Sequence, residues 1–168
     1  MIFLKISIVY VSKSGNTEKT GEMIRDGILS VNPEAEVRLM NIIEEANLDK
    51  AFIGESSAVI FGTPTYVAGG CWQIKKLMDT VFDIPFAGKL AGCYATANFV
   101  QGGADLAIQN TLEMALVKGM LVYSSGVSEG HPYIHLGPVA LAGHLEDYRK
   151  LFTIYGSRMA KKAMELFG

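Results

Sequence analysis

The chain has 168 residues, of which 49% are hydrophobic and 19% are charged. This composition excludes an intrinsically disordered protein and supplies enough apolar residues for the core of one compact domain spanning residues 1–168. Fifteen Lys and Arg residues stand against 17 Asp and Glu residues, so the chain has no strong field of either sign with which to bind nucleic acid or an anionic membrane.

The cysteines and the N-terminal sequence bear on the compartment. Cys71 and Cys93 form neither a CxxC pair nor a metal-ligand spacing, and a secreted disulfide framework normally contains more cysteines. The run MIFLKISIVYV is too short to span a bilayer, includes Lys5 and lacks a signal-peptide cleavage pattern. We therefore expect a cytoplasmic protein without a metal site, whose first apolar run is a buried strand.

Short β-rich runs alternate with helical patterns along the chain, which is typical of an α/β fold with a parallel sheet covered by helices on both faces. Five strands are predicted, at residues 6–11, 36–40, 58–61, 92–96 and 120–124. Residues 125–143 are predicted to form a long loop, and loops of this length in compact domains are usually functional.

Apolar residues at helical spacing predict four helices between and after these strands. The first starts near Asn16 and the last near His144. Their apolar stripes consist of Thr20, Met23, Ile24 and Ile28; Cys71, Ile74, Met78 and Val81; Leu112, Ala115 and Leu116; and Leu145, Tyr148, Phe152, Tyr155 and Met159.

The first strand runs directly into the segment SKSGNT, which combines three hydroxyls, one amide and the free N–H groups of a helix start. Helix-start N–H groups donate to phosphate, and the helix dipole favours its charge. The segment matches neither GxxxxGK[ST] nor GxGxxG, which leaves a monophosphate as the expected ligand. The alternative is that Ser14 or Asn16 simply caps the helix. The residues concerned are Ser12, Lys13, Ser14, Gly15, Asn16 and Thr17.

Two further loops follow the third and fourth strands, at the same edge of the predicted sheet, where ligands of such folds bind. In GTPTYVAGGCWQ, Tyr66 places an aromatic ring at the rim, which favours a flat apolar ligand, whereas Trp72 is expected to pack against its own loop or a second subunit. In ATANFVQGGAD, paired glycines follow polar residues. This third loop could also be an ordinary glycine-rich turn capped by Asp105.

With these loops the chain resembles the flavodoxin-like FMN-binding superfamily over essentially its whole length. SKSGNT resembles the loop that, in this superfamily, holds the ribityl phosphate of FMN with neutral donors. The resemblance implies FMN as cofactor and a flavodoxin-like, doubly wound, five-stranded parallel sheet in the order 2-1-3-4-5. It also implies that the isoalloxazine is flanked by Pro64, Thr65, Tyr66 and Val67 on one side and by Thr96, Ala97, Asn98, Phe99, Gly102 and Gly103 on the other.

Within the superfamily, PTYVAGGCWQIKKLMD and VKGMLVYSSG are most similar to the quinone-reductase and FMN-reductase branch. That branch commonly carries a histidine just before the GM that opens the fifth strand, where this chain has Lys118, so no imidazole role carries over. The resemblance to this branch implies an oxidoreductase that uses NAD(P)H.

Charge in the loops bears on the choice between enzyme and carrier. Electron-carrying flavodoxins hold the reduced flavin among acidic residues, which keeps the potential low. Residues 63–70 and 96–103 contain no carboxylate. We therefore expect an enzyme that takes hydride from NAD(P)H and reduces a quinone, a flavin or a similar small acceptor. The alternative is a flavodoxin-type carrier that shuttles electrons between redox proteins.

The flavin carries the chemistry in either case, so no catalytic side chain is assigned. His131, Tyr133 and His135 are expected to shape a substrate pocket over the flavin edge, although loop histidines are commonly only solvated. Cys71 is either a reactive thiol at a helix N-terminus or a small residue filling a tight space. Cys93 should be buried and inert, and a second subunit could complete the pocket in a homodimer or higher oligomer.

Overall fold

A computed structural model describes residues 3–168. The strands β1 (Lys5–Tyr10), β2 (Glu36–Asn41), β3 (Ala58–Pro64), β4 (Leu90–Ala97) and β5 (Leu121–Val122) form a parallel sheet. Their order is β2-β1-β3-β4-β5. The predicted fold class and strand order are therefore confirmed.

Helices cover both faces of this sheet, as predicted. Within the described chain they are α1 (Asn16–Val31), α2 (Lys50–Glu55), α3 (Trp72–Thr80), α4 (Ala104–Val117) and α5 (Arg149–Phe167). One core cluster joins α1 and α5 to the sheet through residues such as Ile24 and Phe152, and the other joins α2, α3 and α4 through Phe52, Ile74 and Ile108. None of the helices in residues 3–168 combines the length and apolar content needed to cross a bilayer.

The predicted fifth strand is wrong in its extent. Only Leu121–Val122 pairs with β4, after which the chain leaves the sheet and returns as β6 (Val139–Leu141) to pair with the last residues of β4. The edge strand is thus interrupted by residues 123–138. β6 lies within the predicted loop 125–143 and was not predicted, because three residues are too few to show the alternation of a strand.

Several predicted helix boundaries also change. Cys71 and Val81 flank α3 instead of belonging to it, and Leu116 of α4 is 57% exposed. The last helix starts at Arg149 after a 3₁₀ turn at Leu145–Tyr148, not near His144. The short helix α2 was not predicted, because six residues do not display a helical stripe.

Helices α1 and α5 pack unusually closely. A Cβ atom at Gly27 would lie 1.9 Å from the carbonyl oxygen of Thr153, and one at Gly156 would lie 2.1 Å from the carbonyl oxygen of Ile24. Glycine at both positions lets the two backbones touch. This contact fixes how α1, whose first residues form part of the candidate site, lies on the sheet.

Candidate functional site

The loops after β1, β3 and β4 meet at the carboxyl edge of the sheet and enclose a cavity of about 100 Å³. Most of the predicted cofactor residues line it. They are Ser12, Lys13, Ser14, Asn16 and Thr17 from the first loop, Pro64, Thr65 and Tyr66 from the second, and Thr96, Ala97 and Asn98 from the third. Ala142 completes the lining. Sequence reasoning missed Ala142 because it missed β6, which delivers it.

The remaining predicted residues do not line the cavity. Gly15 and Gly103 precede α1 and α4 with φ of 87° each, in the left-handed region that favours glycine. Val67 is fully exposed and Phe99 is 65% exposed, so both lie on the rim. Gly102 and Gly103 belong to the turn of the third loop, and a Cβ on Gly103 would lie 2.7 Å from the Cβ of Ala68. The second and third loops therefore touch at this point.

The first loop is fixed from inside by Ser12 and from outside by Asn41. Ser12 Oγ accepts hydrogen bonds from the N–H groups of Gly15 (3.1 Å) and Glu18 (3.4 Å). Asn41, at the end of β2, accepts from Ser12 N–H (3.0 Å) and donates to the Ser12 carbonyl (2.8 Å). Asn41 was missed in the sequence. The feature that could have indicated it is its position as the polar residue that ends β2, the strand beside β1.

Several donors of this loop have no partner. The backbone N–H groups of Lys13, Ser14, Asn16 and Thr17 form no hydrogen bond with any residue in the range 3–168. Gly15 is the N-cap of α1 and provides no side-chain cap, so the alternative of capping by Ser14 or Asn16 is wrong. Free N–H groups at a helix start, facing a polar cavity, fit a phosphate.

The third loop is tied to the other two. Thr17 Oγ1 hydrogen-bonds Thr96 Oγ1 at 2.8 Å, and Thr65 N–H donates to the Thr96 carbonyl at 2.8 Å. Thr96 therefore holds the first and second loops at a fixed separation. The cavity is preformed by protein contacts, which lowers the entropic cost of binding a ligand there.

The second loop contains strained backbone and an unsatisfied hydroxyl. Tyr66 and Gly69 exchange two backbone hydrogen bonds of 2.9 Å, and the residues between them, Val67 and Ala68, have φ of 51° and 57°. A β-branched residue at positive φ is strained, and such strain concentrates at functional sites. Thr65 Oγ1 is buried without a partner among the described residues, which leaves a polar atom for a ligand to satisfy.

Neither cysteine has the environment of a reactive thiol. Cys71 is buried, and burial raises the pKa of its thiol above the ordinary value. The hypothesis of a reactive Cys71 is therefore wrong, and the residue fills a tight space while its N–H donates to Thr63 Oγ1 at 2.8 Å. Burial raises the pKa of Cys93 to about 12, which agrees with the predicted buried, inert thiol.

The structure also shows where the residues of the expected substrate pocket lie. His131, Tyr133 and His135 are exposed and do not line the cavity. The insertion that carries them is instead bound to Arg158 in the middle of α5. Backbone carbonyls of this insertion surround the buried arginine.

Two other residues singled out from the sequence lie elsewhere. Trp72, 66% exposed, borders a separate groove with Ile42 and Leu77. Lys118 lies at the C-terminal end of α4, where its Nζ is 4.6 Å from the centre of the Phe82 ring. Since α4 begins beside the third loop, Lys118 lies at the opposite end of that helix from the cavity.

Comparison with known proteins places the chain in a family. No protein-family model matches the chain. A flavodoxin from Clostridium saccharobutylicum is 41% identical over 98% of this chain and 100% of its own length. The chain belongs to the flavodoxin family. An NAD(P)H dehydrogenase (quinone) from Geobacter sulfurreducens is 26% identical over 80% of this chain and 75% of its own length.

Solved structures agree with this placement. A flavodoxin, WrbA-like protein from Agrobacterium tumefaciens superposes with a TM-score of 0.76 at 26% identity, covering 97% of this chain and 99% of that protein. A flavodoxin from the domain Archaea superposes with a TM-score of 0.74 at 20% identity over 96% of this chain and 99% of its own, which shows the shared fold. The predicted superfamily is confirmed, and its members here include both flavodoxins and a quinone dehydrogenase.

Proposed function

We propose that this flavodoxin-family chain binds FMN and carries electrons between redox proteins. The observation that carries the proposal is the set of unpartnered N–H groups at the start of α1, in a chain that matches a flavodoxin along that protein's entire length. These donors and the hydroxyls beside them fit the phosphate of a flavin mononucleotide. No cationic side chain is needed, because oriented dipoles stabilise the phosphate charge.

The size of the cavity indicates how the cofactor would lie. At about 100 Å³, it is smaller than the roughly 300–1,000 Å³ of pockets that enclose a whole small molecule. We expect it to hold the phosphate end, with the free N–H groups of Lys13, Ser14, Asn16 and Thr17 as donors. The ring system would then extend across the rim between the second loop, at Tyr66, and the third loop, at Asn98 and Phe99.

Each part of the site has a separate task in this proposal. When bound, the flavin supplies the electron-accepting and electron-donating chemistry. Ser12 and Asn41 keep the first loop in its donor arrangement, and Thr96 sets the spacing between loops. Thr65 Oγ1 offers a hydrogen bond from the second loop. Tyr66, Asn98 and Phe99 would shape the rim against which the ring system packs.

The exposed rim supports a carrier. Val67, Phe99 and Val100 expose 102%, 65% and 84% of their surfaces, so a partner protein can approach the edge of a ring bound between these loops. His131, Tyr133 and His135 do not line the cavity itself.

The second candidate is an NAD(P)H-dependent reductase of a quinone, a flavin or a similar small acceptor. It is favoured by the lack of carboxylates in residues 63–70 and 96–103, since reduction is easier where no negative charge opposes it. The similarity to a quinone dehydrogenase supports the same candidate. In that case a second copy of the chain could complete the substrate pocket.

Anaerobic mixing separates the two candidates. The FMN-loaded protein is mixed with one equivalent of NADH or NADPH, and flavin absorbance is followed. A carrier stays yellow for minutes and is reduced only after a separate flavodoxin reductase is added. Rapid direct bleaching by either nucleotide would contradict the carrier and establish the reductase.

A further inference from the structure

The sheet edge beyond β4 consists of two short strands with an insertion between them. β5 pairs with Leu90 and Ala91 at the start of β4, and β6 pairs with Ala95, Thr96 and Ala97 at its end. Both strands occupy the same edge position, while residues 123–138 lie outside the sheet. The path of this insertion therefore decides where β6 joins the sheet.

One side chain of α5 holds the insertion. Arg158 is 9% exposed, and its terminal nitrogens donate hydrogen bonds of 2.9–3.2 Å to five acceptors. All of these acceptors are uncharged, so dipoles surround the buried cation. The acceptors are Ser125 Oγ and the carbonyl oxygens of Glu129, Gly130, His131 and Pro132.

The arrangement needs a guanidinium group. Nη1 donates to Ser125 and Pro132, whereas Nη2 donates to three consecutive carbonyls. A lysine ammonium carries its donors on one atom and cannot reach both sets of acceptors. Ser125 is buried and has φ of 76°. The bond to Arg158 therefore stabilises a strained residue at the point where the insertion leaves the sheet.

The other end of the insertion leads into the candidate cofactor site. A Cβ atom at Gly137 would lie 2.1 Å from the Cys93 carbonyl oxygen, so the chain passes there in direct contact with β4. Ala95 N–H then donates to the Pro138 carbonyl at 3.1 Å, and Ala142 N–H donates to the Ala97 carbonyl at 2.8 Å. Residues 139–141 thus form the last strand, and Ala142, which follows it, lines the cavity.

From this continuity we infer that Arg158 is a positioning residue for the cofactor site. By fixing residues 125–132, it holds β6 in register with β4 and keeps Ala142 against the cavity. Arg158 itself does not line the cavity, so its effect on a ligand passes through β6. The inference rests on the proposed function in one respect, since it takes the cavity to be the flavin site.

Hydrogen exchange of the apoprotein tests the structural link. In Arg158→Met, which keeps the side-chain length and removes the donors, amides of residues 125–132 and 139–142 exchange about tenfold faster or more, while those of β1 do not change. Arg149→Met is the matched control, since Arg149 lies on the same helix and bonds Glu146. Faster exchange confined to residues 125–132 would overturn the inference.

FMN binding to the same variants tests the functional link. Arg158→Met weakens FMN binding by about tenfold and reduces the visible circular dichroism of the bound flavin, and Arg158→Lys restores part of both. If Arg158→Met does not fold, Arg158→Lys shows the same pattern with smaller changes. Unaltered affinity and dichroism in the folded Arg158 variants would overturn the inference. A wild-type chain that does not bind FMN would instead remove the proposed function and leave the exchange result intact.

Discussion

Two threonines on the same stretch of chain differ in how their hydroxyls are used. Thr63 Oγ1 accepts from Cys71 N–H and donates to the Pro64 carbonyl, both at 2.8 Å. Thr65 Oγ1 is equally hidden but has no partner among residues 3–168. A buried, unpaired hydroxyl is destabilising unless a ligand satisfies it. The contrast provides a test of the site at the scale of one atom.

Thr65→Val is expected to raise the free energy of unfolding of the apoprotein by about 1 kcal/mol, because it removes a buried hydroxyl without a partner. It is expected to weaken FMN binding by about tenfold, because only the ligand satisfies that hydroxyl. Thr63→Val is the control and is expected to lower the free energy of unfolding by about 1–3 kcal/mol, because it leaves the buried Cys71 N–H unpaired. Chemical denaturation and calorimetric titration measure both. Equal FMN affinity of wild type and Thr65→Val would refute the assigned role.

Burial raises the pKa values of both thiols and therefore lowers their reactivity at a given pH. Because the pKa values of Cys71 and Cys93 are raised, at pH 8 the folded protein contains less thiolate than the unfolded chain. We expect Ellman's reagent to label neither thiol quickly in the native protein and both after denaturation. The folded state binds protons more tightly than the unfolded state above pH 9, the ordinary value for cysteine, so stability falls as pH rises from there towards 12. Rapid native-state labelling at pH 8 would contradict this.

At the scale of elements, the crossing of α1 and α5 depends on two glycines. Gly27→Ala places a methyl group where the Thr153 carbonyl lies 1.9 Å away, so the helices must separate. We expect a loss of about 2–4 kcal/mol in unfolding free energy. Gly54→Ala in α2 is the control. Its Cβ would meet Pro85 at an ordinary 3.6 Å, so we expect a gain of about 0.5–1 kcal/mol. Equal effects of the two variants in urea denaturation would argue against the close crossing.

The same scale shows what sequence patterns could and could not predict. The strands β1 to β4 and the helices α1, α3 and α4 each have enough residues for a visible period, and the polar run SKSGNT marks the start of α1. β6 has only three residues. It begins 42 positions after β4 ends, from Ala97 to Val139, which is roughly a quarter of the chain. The Asn41–Ser12 and Arg158–Ser125 bonds likewise join distant positions. Such contacts depend on the folded topology and leave no local pattern.

At the scale of the whole molecule, charge is nearly balanced and the rim is apolar. The net charge is −2, and the exposed rim residues Tyr66, Val67 and Phe99 carry no charge. Lys13 and Asp105 adjoin the rim with opposite signs. A charged reagent approaching this surface therefore meets little net potential, since steering requires an excess of one sign.

We therefore expect oxidation of the reduced protein by small reagents to depend weakly on salt. The rates with anionic hexacyanoferrate(III) and with cationic tris(phenanthroline)cobalt(III) should each change by less than about threefold between low and physiological ionic strength. Stopped-flow absorbance measures both. If salt instead slowed oxidation by the cationic reagent and accelerated oxidation by the anionic reagent, the surface would be acidic.

The proposal for the whole molecule depends on whether the loop Ser12–Thr17 binds a phosphate. Calorimetric titration of the apoprotein with FMN and with riboflavin, which lacks the phosphate, isolates that contribution. The unpartnered N–H groups at the start of α1 predict that FMN binds at least about 100-fold more tightly than riboflavin, because several charge-assisted hydrogen bonds are lost with the phosphate. Equal affinities for the two compounds, or no binding of FMN, would contradict a phosphate site at this loop.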